Sequence, residues 1–477
     1  MNGQQLENRI RDWSRRTFIS RSFAGIGSFA LAAMMSQKAM GQTDERPWPA
    51  LPAFPHFAPK AKRIVHLCMA GGPSHVESLD PKPKLDEMDG EPFPESMTAG
   101  EELAQLQNAK LVARKSFCKF QKWGQSGIEI AEVFPHIGSI ADDLCVIRSM
   151  TTEQINHDTA HAFMNTGSII KGRPSMGSWL LYGLGAETEN LPGYVVMTSA
   201  GPGAQPVSAR QWSAGFLPSK FQGINFQSRG LPVHYIGNPD GVCQSTQRQV
   251  VDEIQRLNGI LTSRHFDPEV ETRISQYEMA FKMQSAVPEL IDMSNESQQT
   301  LDDYGVAKPG DGSFASNCLL ARKLLEKGVR FVQLYHRGWD HHRNLKNDFT
   351  RAAKDCDQSS AALVKDLKVR GLLDDTLVLW GGEFGRTPMA QGSGRDHHIN
   401  AFSVWMAGGG VKPGMVYGAT DELGYRSVEN IVTVHDLHAT ILHLFGIDHN
   451  RFSQKFQGLD LKLTGVEECH VVEDIVA

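Results

Sequence analysis

The chain has 477 residues, of which 40% are hydrophobic and 21% charged, and a net charge of −6. This is the balance of a globular protein with a sizeable core, and without a basic excess to attract nucleic acid or an anionic lipid surface it is expected to bind no nucleic acid. The seven cysteines include no CxxC pair, and their odd number rules out a fully paired intramolecular disulfide framework.

In chain order, Ser14-Arg15-Arg16-Thr17-Phe18-Ile19 precedes an apolar stretch from Phe23 to Met35 and a small-residue site at Ala39-Met40-Gly41. That succession reads as a twin-arginine signal peptide over residues 1–41, cleaved near Gln42. Its apolar run is about a dozen residues, short of the ~20 that a spanning helix needs. The expectation is a protein exported folded through the twin-arginine machinery, with a periplasmic or secreted location. Residues 42–62, with their prolines, read as an extended strap.

Buried strands are predicted at Arg63 to Met69, Leu144 to Met150, Tyr194 to Thr198, Phe331 to Tyr335, Thr376 to Trp380 and Phe402 to Ala407, all short runs rich in β-branched or apolar residues. Helical patterns are clearest from Asn317 to Lys327, Phe349 to Arg370 and Val434 to Leu444. Their alternation with the strands argues for a three-layer α/β/α sandwich around a mostly parallel central sheet, spanning residues 63–465. The segment 200–310 departs from this pattern, first Gly-, Pro- and Gln-rich and then helical and charged, and reads as a partly helical insertion or cap. Residues 466–477 form a C-terminal tail.

Of the 18 histidines, five fall in two short stretches, His336 with His341 and His342, and His397 with His398. In Trp339-Asp340-His341-His342 the carboxylate and imidazoles follow a predicted strand, at the edge where open α/β sheets bind ligands. Asp with His suits a divalent metal, and a solvated polar loop is the plainer alternative. Trp380-Gly381-Gly382-Glu383-Phe384-Gly385-Arg386 again sets a carboxylate after a strand. Glu383 reads as a ligand or base, and Arg386 as a fork for two oxygens of an anion or as an ion-pair partner of Glu383. Gly394-Arg395-Asp396-His397-His398 repeats the theme before another strand. Asn156-His157-Asp158-Thr159-Ala160-His161 opens a helix expected to end at Gly167, with His157 near its N-terminus and His161 one turn on. Met69-Ala70-Gly71-Gly72-Pro73-Ser74-His75 is either a turn aiming N–H groups at an anion or a structural turn with an exposed His75.

Gly71-Gly72-Pro73-Ser74-His75, Gly382 to Pro388, Gly394-Arg395-Asp396-His397, Ala407 to Val411, Val416 to Thr420 and His435-Asp436-Leu437-His438 together resemble the exported bacterial domain-of-unknown-function 1501 family. That family resembles the alkaline phosphatase and sulfatase superfamily, whose members bind one or two metals at strand ends and attack a phosphate or sulfate ester. The resemblance implies an alkaline-phosphatase-like fold, and a metal held by Asp340 with His342 or Asn344, and by His397 or His398, with Glu383 facing the same ion or a second one. The chain departs from the superfamily where Glu383-Phe384 stands for an Asp-His pair, where Met69-Ala70-Gly71-Gly72 lacks the early Asp, and where His157 and Thr159 offer no matching nucleophile. The expected function is an exported metal-dependent hydrolase of a phosphate or sulfate ester, acting on a small anionic ester or a sulfated glycan. Asp340, His342, Glu383 and His397 serve as metal ligands, zinc or manganese suiting them better than calcium, and His157, Glu383 and Arg386 as catalytic groups. The alternative is a non-catalytic binding or assembly protein on the same fold.

Overall fold

The computed structural model describes residues 49–477 except 102, 202, 231, 234–247, 251, 254–255 and 257–267. The expected signal peptide, its expected cleavage site and part of the expected insertion therefore lie outside the described residues. Nine strands form the main sheet: β1 (Arg63–Ala70), β2 (Leu144–Thr151), β3 (Tyr194–Thr198), β4 (Ile224–Phe226), β5 (Phe331–Arg337), β6 (Thr376–Gly381), β7 (Phe402–Ala407), β8 (Met415–Tyr417) and β9 (Val432–Thr433). Their order is β8-β2-β7-β6-β1-β5-β3-β4, with β9 also pairing with β2. Every pairing is parallel except those of β7, which runs antiparallel to both β2 and β6. The expected mostly parallel sheet is present.

Strand β1 shows why the apolar runs lack alternation. Its Val65, Leu67 and Met69 enter one core while Ile64, Cys68 and Ala70 enter the other, so successive side chains are buried on opposite faces. The first core lies under helices α4 (Phe314–Glu326) and α5 (Leu345–Val369). The second lies under α1 (His157–Thr166), α2 (Met176–Leu184) and α6 (Val434–Leu444). Two apolar layers about one sheet give the three-layer sandwich. Helix α3 (Pro268–Ile291), from the expected insertion, sends Met283, Val287 and Leu290 into the first core.

Local chemistry sets the helix ends. Helix α6 starts on a capping box in which Thr433 and Asp436 bond each other's backbone N–H groups. Helix α1 stops at Gly167, which takes φ +64°, as the sequence led one to expect. The six described cysteines are free, and Cys68 and Cys145 are buried in the apolar core.

Candidate metal centre

Parallel strands deliver their carboxyl ends, and the loops that follow, to one edge of the sheet. Gly71 follows β1, Asp340 and His342 follow β5, Glu383 follows β6, and His157 opens the helix after β2. Strand β7 runs the other way, so His397, which precedes it, reaches the same edge. One reversed strand thus brings a fifth chain segment to the site.

At this edge Asp340 Oδ1 is ringed by imidazoles. His157 Nε2 lies 3.2 Å away, His342 Nε2 3.0 Å and His397 Nε2 3.3 Å. His342 Nε2 and His397 Nε2 are 3.0 Å from each other. The far side of each ring fixes its tautomer. His397 Nδ1 donates to Ile155 O at 2.7 Å, His342 Nδ1 to Gln391 Oε1, and His157 Nδ1 to Glu383 Oε1 at 2.6 Å. A neutral imidazole that donates from Nδ1 carries a lone pair at Nε2. Three Nε2 atoms therefore converge on a carboxylate oxygen: a ring protonated there is an imidazolium that donates to Asp340, as the raised pKa of His157 indicates, and a neutral ring offers its lone pair to a cation. Gln105 Nε2 donates to His342 Nε2 at 3.4 Å, which leaves the contact with His397 unrelieved.

This donor set fits a divalent metal. Four ligands about 2.0–2.2 Å from a tetrahedral zinc stand ~3.3–3.6 Å apart, a few tenths of an ångström beyond the separations of Asp340 from the three rings and of His342 from His397. Two overlapping groups have metal-ligating character, His157 with Asp340 and His397, and His157 with His161 and Glu383. In the second, the 2.6 Å contact between His157 and Glu383 is the length of a charge-assisted hydrogen bond and too short for two ligands of one ion.

Glu383 is fully buried. It accepts Gly71 N–H on both oxygens, at 3.0 and 3.1 Å, and lies 3.3 Å from His161 Nε2. Burial opposes its charge, yet His161 and His157 hold its pKa down at about 2. Burial likewise opposes a charge on His157, but hydrogen bonds to Asp340 and Glu383 lift its pKa to about 9. Against its own burial, Asp340 is kept well below the usual carboxylate range by His157, His342, His397 and Arg386. Burial pushes the His397 imidazole down, in keeping with a neutral ring.

Arg386 is also fully buried. Its guanidinium donates to Asp340 Oδ1 at 2.6 Å, Gly72 O at 3.1 Å, Arg395 O at 3.2 Å and the carbonyl of Gly71. Its ion-pair partner is Asp340, and its donors clamp three loops together. Gly71 sits at φ +124°, where an added Cβ would stand 2.4 Å from Asp340 N, so only glycine lets these loops meet.

Neighbours of the converging imidazoles do other work. His341 packs against the rings of Trp339 and Phe349, and His398 Nε2 donates to the carbonyl of Tyr425. Asn344 caps α5 in a left-handed conformation, with its side chain held by Asn347. His75 is buried and donates to Gly424 O at 2.9 Å, which corrects the reading of it as exposed. His435 and His438 donate to Gly167 O and Met164 O, tying α6 to the end of α1.

Sequence reasoning missed the supports. Arg395 makes a fully buried ion pair with Glu77, Nη2 to Oε1 at 2.6 Å and Nε to Oε2 at 2.9 Å. Asp396 accepts Gln105 N–H at 2.6 Å, Leu106 N–H at 2.7 Å and His397 N–H at 2.9 Å. Together they anchor the loop that carries His397. Arg395 and Asp396 lay within a noted motif, whereas Glu77 had no signal beyond following the first strand.

The model of a family described as a protein of unknown function (DUF1501) matches residues 61–476. No curated protein matches the chain. Among solved structures it is similar to the PsFucS1 sulfatase from Pseudoalteromonas sp., at 12% identity over 83% of this chain and 69% of that one, with a TM-score of 0.33. It is also similar to a protein in the alkaline phosphatase superfamily from Vibrio parahaemolyticus, at 11% identity over 82% and 68%, with a TM-score of 0.31. Alkaline phosphatase from the Antarctic bacterium TAB5 matches at 14% identity over 81% and 98%, with a TM-score of 0.31. The matched family is the one that the motifs resemble.

Proposed function

Since the chain belongs to the DUF1501 family, we propose that it is a metal-dependent hydrolase of a phosphate or sulfate ester, and that Asp340, His157, His342 and His397 hold its metal. The observation that carries this reading is the convergence of three imidazole Nε2 atoms on one carboxylate oxygen, at separations that suit shared ligation. An imidazole-rich set favours zinc or manganese over calcium, which prefers an all-oxygen shell. When bound, the ion supplies Lewis acidity to an ester oxygen.

The chain's own groups divide the remaining tasks. Glu383 orients His157: with its carboxylate on Nδ1–H, it keeps Nε2 free for the metal, as outer carboxylates of metal-binding histidines do. Arg386 positions Asp340 and draws the three loops together, its donors being already engaged. The first N–H groups of α1 lie beside His157, and Asn156 gives them no side-chain cap, so they are available to anionic oxygens. Hydrolysis transfers the phosphoryl or sulfuryl group from the alcohol oxygen to water, and the alcohol leaves with a proton.

One observation favours the second reading, a binding protein. Thr159, the hydroxyl nearest to His157 in sequence, is half-buried and turned to Asn156 O at 3.0 Å, so it does not join the donors as a nucleophile. The test is turnover. Protein stripped with chelator and reloaded with zinc or manganese should hydrolyse aryl sulfate or aryl phosphate esters, and the stripped protein should not. A loaded protein inert towards both ester classes would transfer the assignment to the binding reading.

A further inference from the structure

At the same edge of the sheet, a partly buried cation has no side-chain partner among the described residues. Arg337 is the last residue of β5, three before Asp340, and its side chain forms no hydrogen bond or ion pair with any described residue. Its Nε is buried and unpartnered. This contrasts with Arg386 and Arg395, whose donors are satisfied by carbonyls and carboxylates. A buried donor without a partner is costly, and such a group is retained where something outside the chain completes it.

The face that Arg337 occupies follows from its strand. Val332 and Leu334 enter the first core, and His336 packs against Phe314 of α4. The alternate residues face α1: Gln333 donates to Asn165, and the ring of Tyr335 lies 6.2 Å from that of His161. Helix and strand run in opposite directions here, so two residues along the strand, about 6.6 Å, match four residues back along the helix, about 6 Å. The next step in this series sets Arg337 level with His157. Gly338 N, immediately after it, is fixed by Gln205 Oε1 at 2.9 Å.

We propose that Arg337 recognises the charged group of the substrate, its guanidinium taking two oxygens of the sulfate or phosphate. This rests on the hydrolase reading of the site and names the side chain that selects its anion. A planar fork of N–H donors matches two oxygens of a tetrahedral oxyanion, whereas lysine offers a point charge.

The experiment titrates inorganic sulfate and inorganic phosphate by calorimetry into zinc-loaded wild type, Arg337→Ala and Arg337→Lys, with metal content and melting temperature recorded for each. Arg337→Ala should keep its metal and melting temperature and lose about tenfold or more in anion affinity, and Arg337→Lys should recover part of that loss. Metal-loaded Arg337→Ala that binds both anions as wild type does would overturn the proposal and leave the metal reading intact. Wild type that takes metal but neither anion would overturn it as well. If wild type binds anion without taking metal, and Arg337→Ala loses that binding, the assignment of Arg337 stands and the hydrolase reading falls. Should Arg337→Ala fail to fold, the comparison of Arg337→Lys with wild type decides, and equal affinities would count against the fork.

Discussion

His157 shows how one side chain can join two functions. Its Nδ1 reaches the buried carboxylate of Glu383 while its Nε2 faces Asp340, so Glu383 holds the ring from behind while the opposite nitrogen joins the donors around Asp340. Replacing Glu383 with Gln keeps the shape and removes the charge. Metal affinity should fall about 10–100-fold with the stoichiometry at saturation unchanged, as measured by competition with a chelating dye. Loss of stoichiometric binding would instead make Glu383 a ligand. The clusters of His, Asp and Glu were legible in the sequence because they follow apolar runs. Which member of each His-His pair faces inward was not. In the two-residue strand His397–His398, neighbours point to opposite sides, and the choice depends on the pairing of His397 with Arg386, a contact made only in the folded chain.

At the scale of elements, the segment between Arg386 and β7 does most to assemble the site, because the reversed strand carries His397 back to the edge where the parallel strands end. The buried Glu77–Arg395 pair holds that segment. Glu77→Ala would strand the Arg395 guanidinium in a dry interior and should cost about 3–5 kcal/mol in urea unfolding, with Arg395→Met in the same background restoring part of it. A cost under ~1 kcal/mol would mean that the carbonyls of Thr387, Arg114 and Lys115 suffice to satisfy the arginine. The long elements were readable. Strands β3 and β7 and helix α6 have the bounds expected of them, while α5 starts at Leu345 rather than Phe349, on a left-handed Asn344 that periodicity does not reveal. Strands β4, β8 and β9 are two or three residues long, below what a hydrophobic pattern can distinguish from a loop.

For the whole molecule, the fold class was legible because a sheet covered on both faces needs unbroken apolar strands, and six such runs alternate with amphipathic helices. Strand order was not, since β1 lies between β5 and β6, its partners more than 250 positions away in sequence, and no local signal encodes such pairings. The site inherits this property. Gly71, His157, Asp340, Glu383 and His397 come from five segments that meet only when the sheet is complete, so the proposed metal binding would report on the assembled fold as well as on the donors. The most direct test of the account is the metal content of the purified protein after loading with zinc or manganese, beside the Asp340→Ala, His397→Ala double variant. The account predicts about one ion per chain in the wild type and none retained by a double variant that still folds. A wild type that takes up no transition metal, or a double variant that retains it in full, would contradict it.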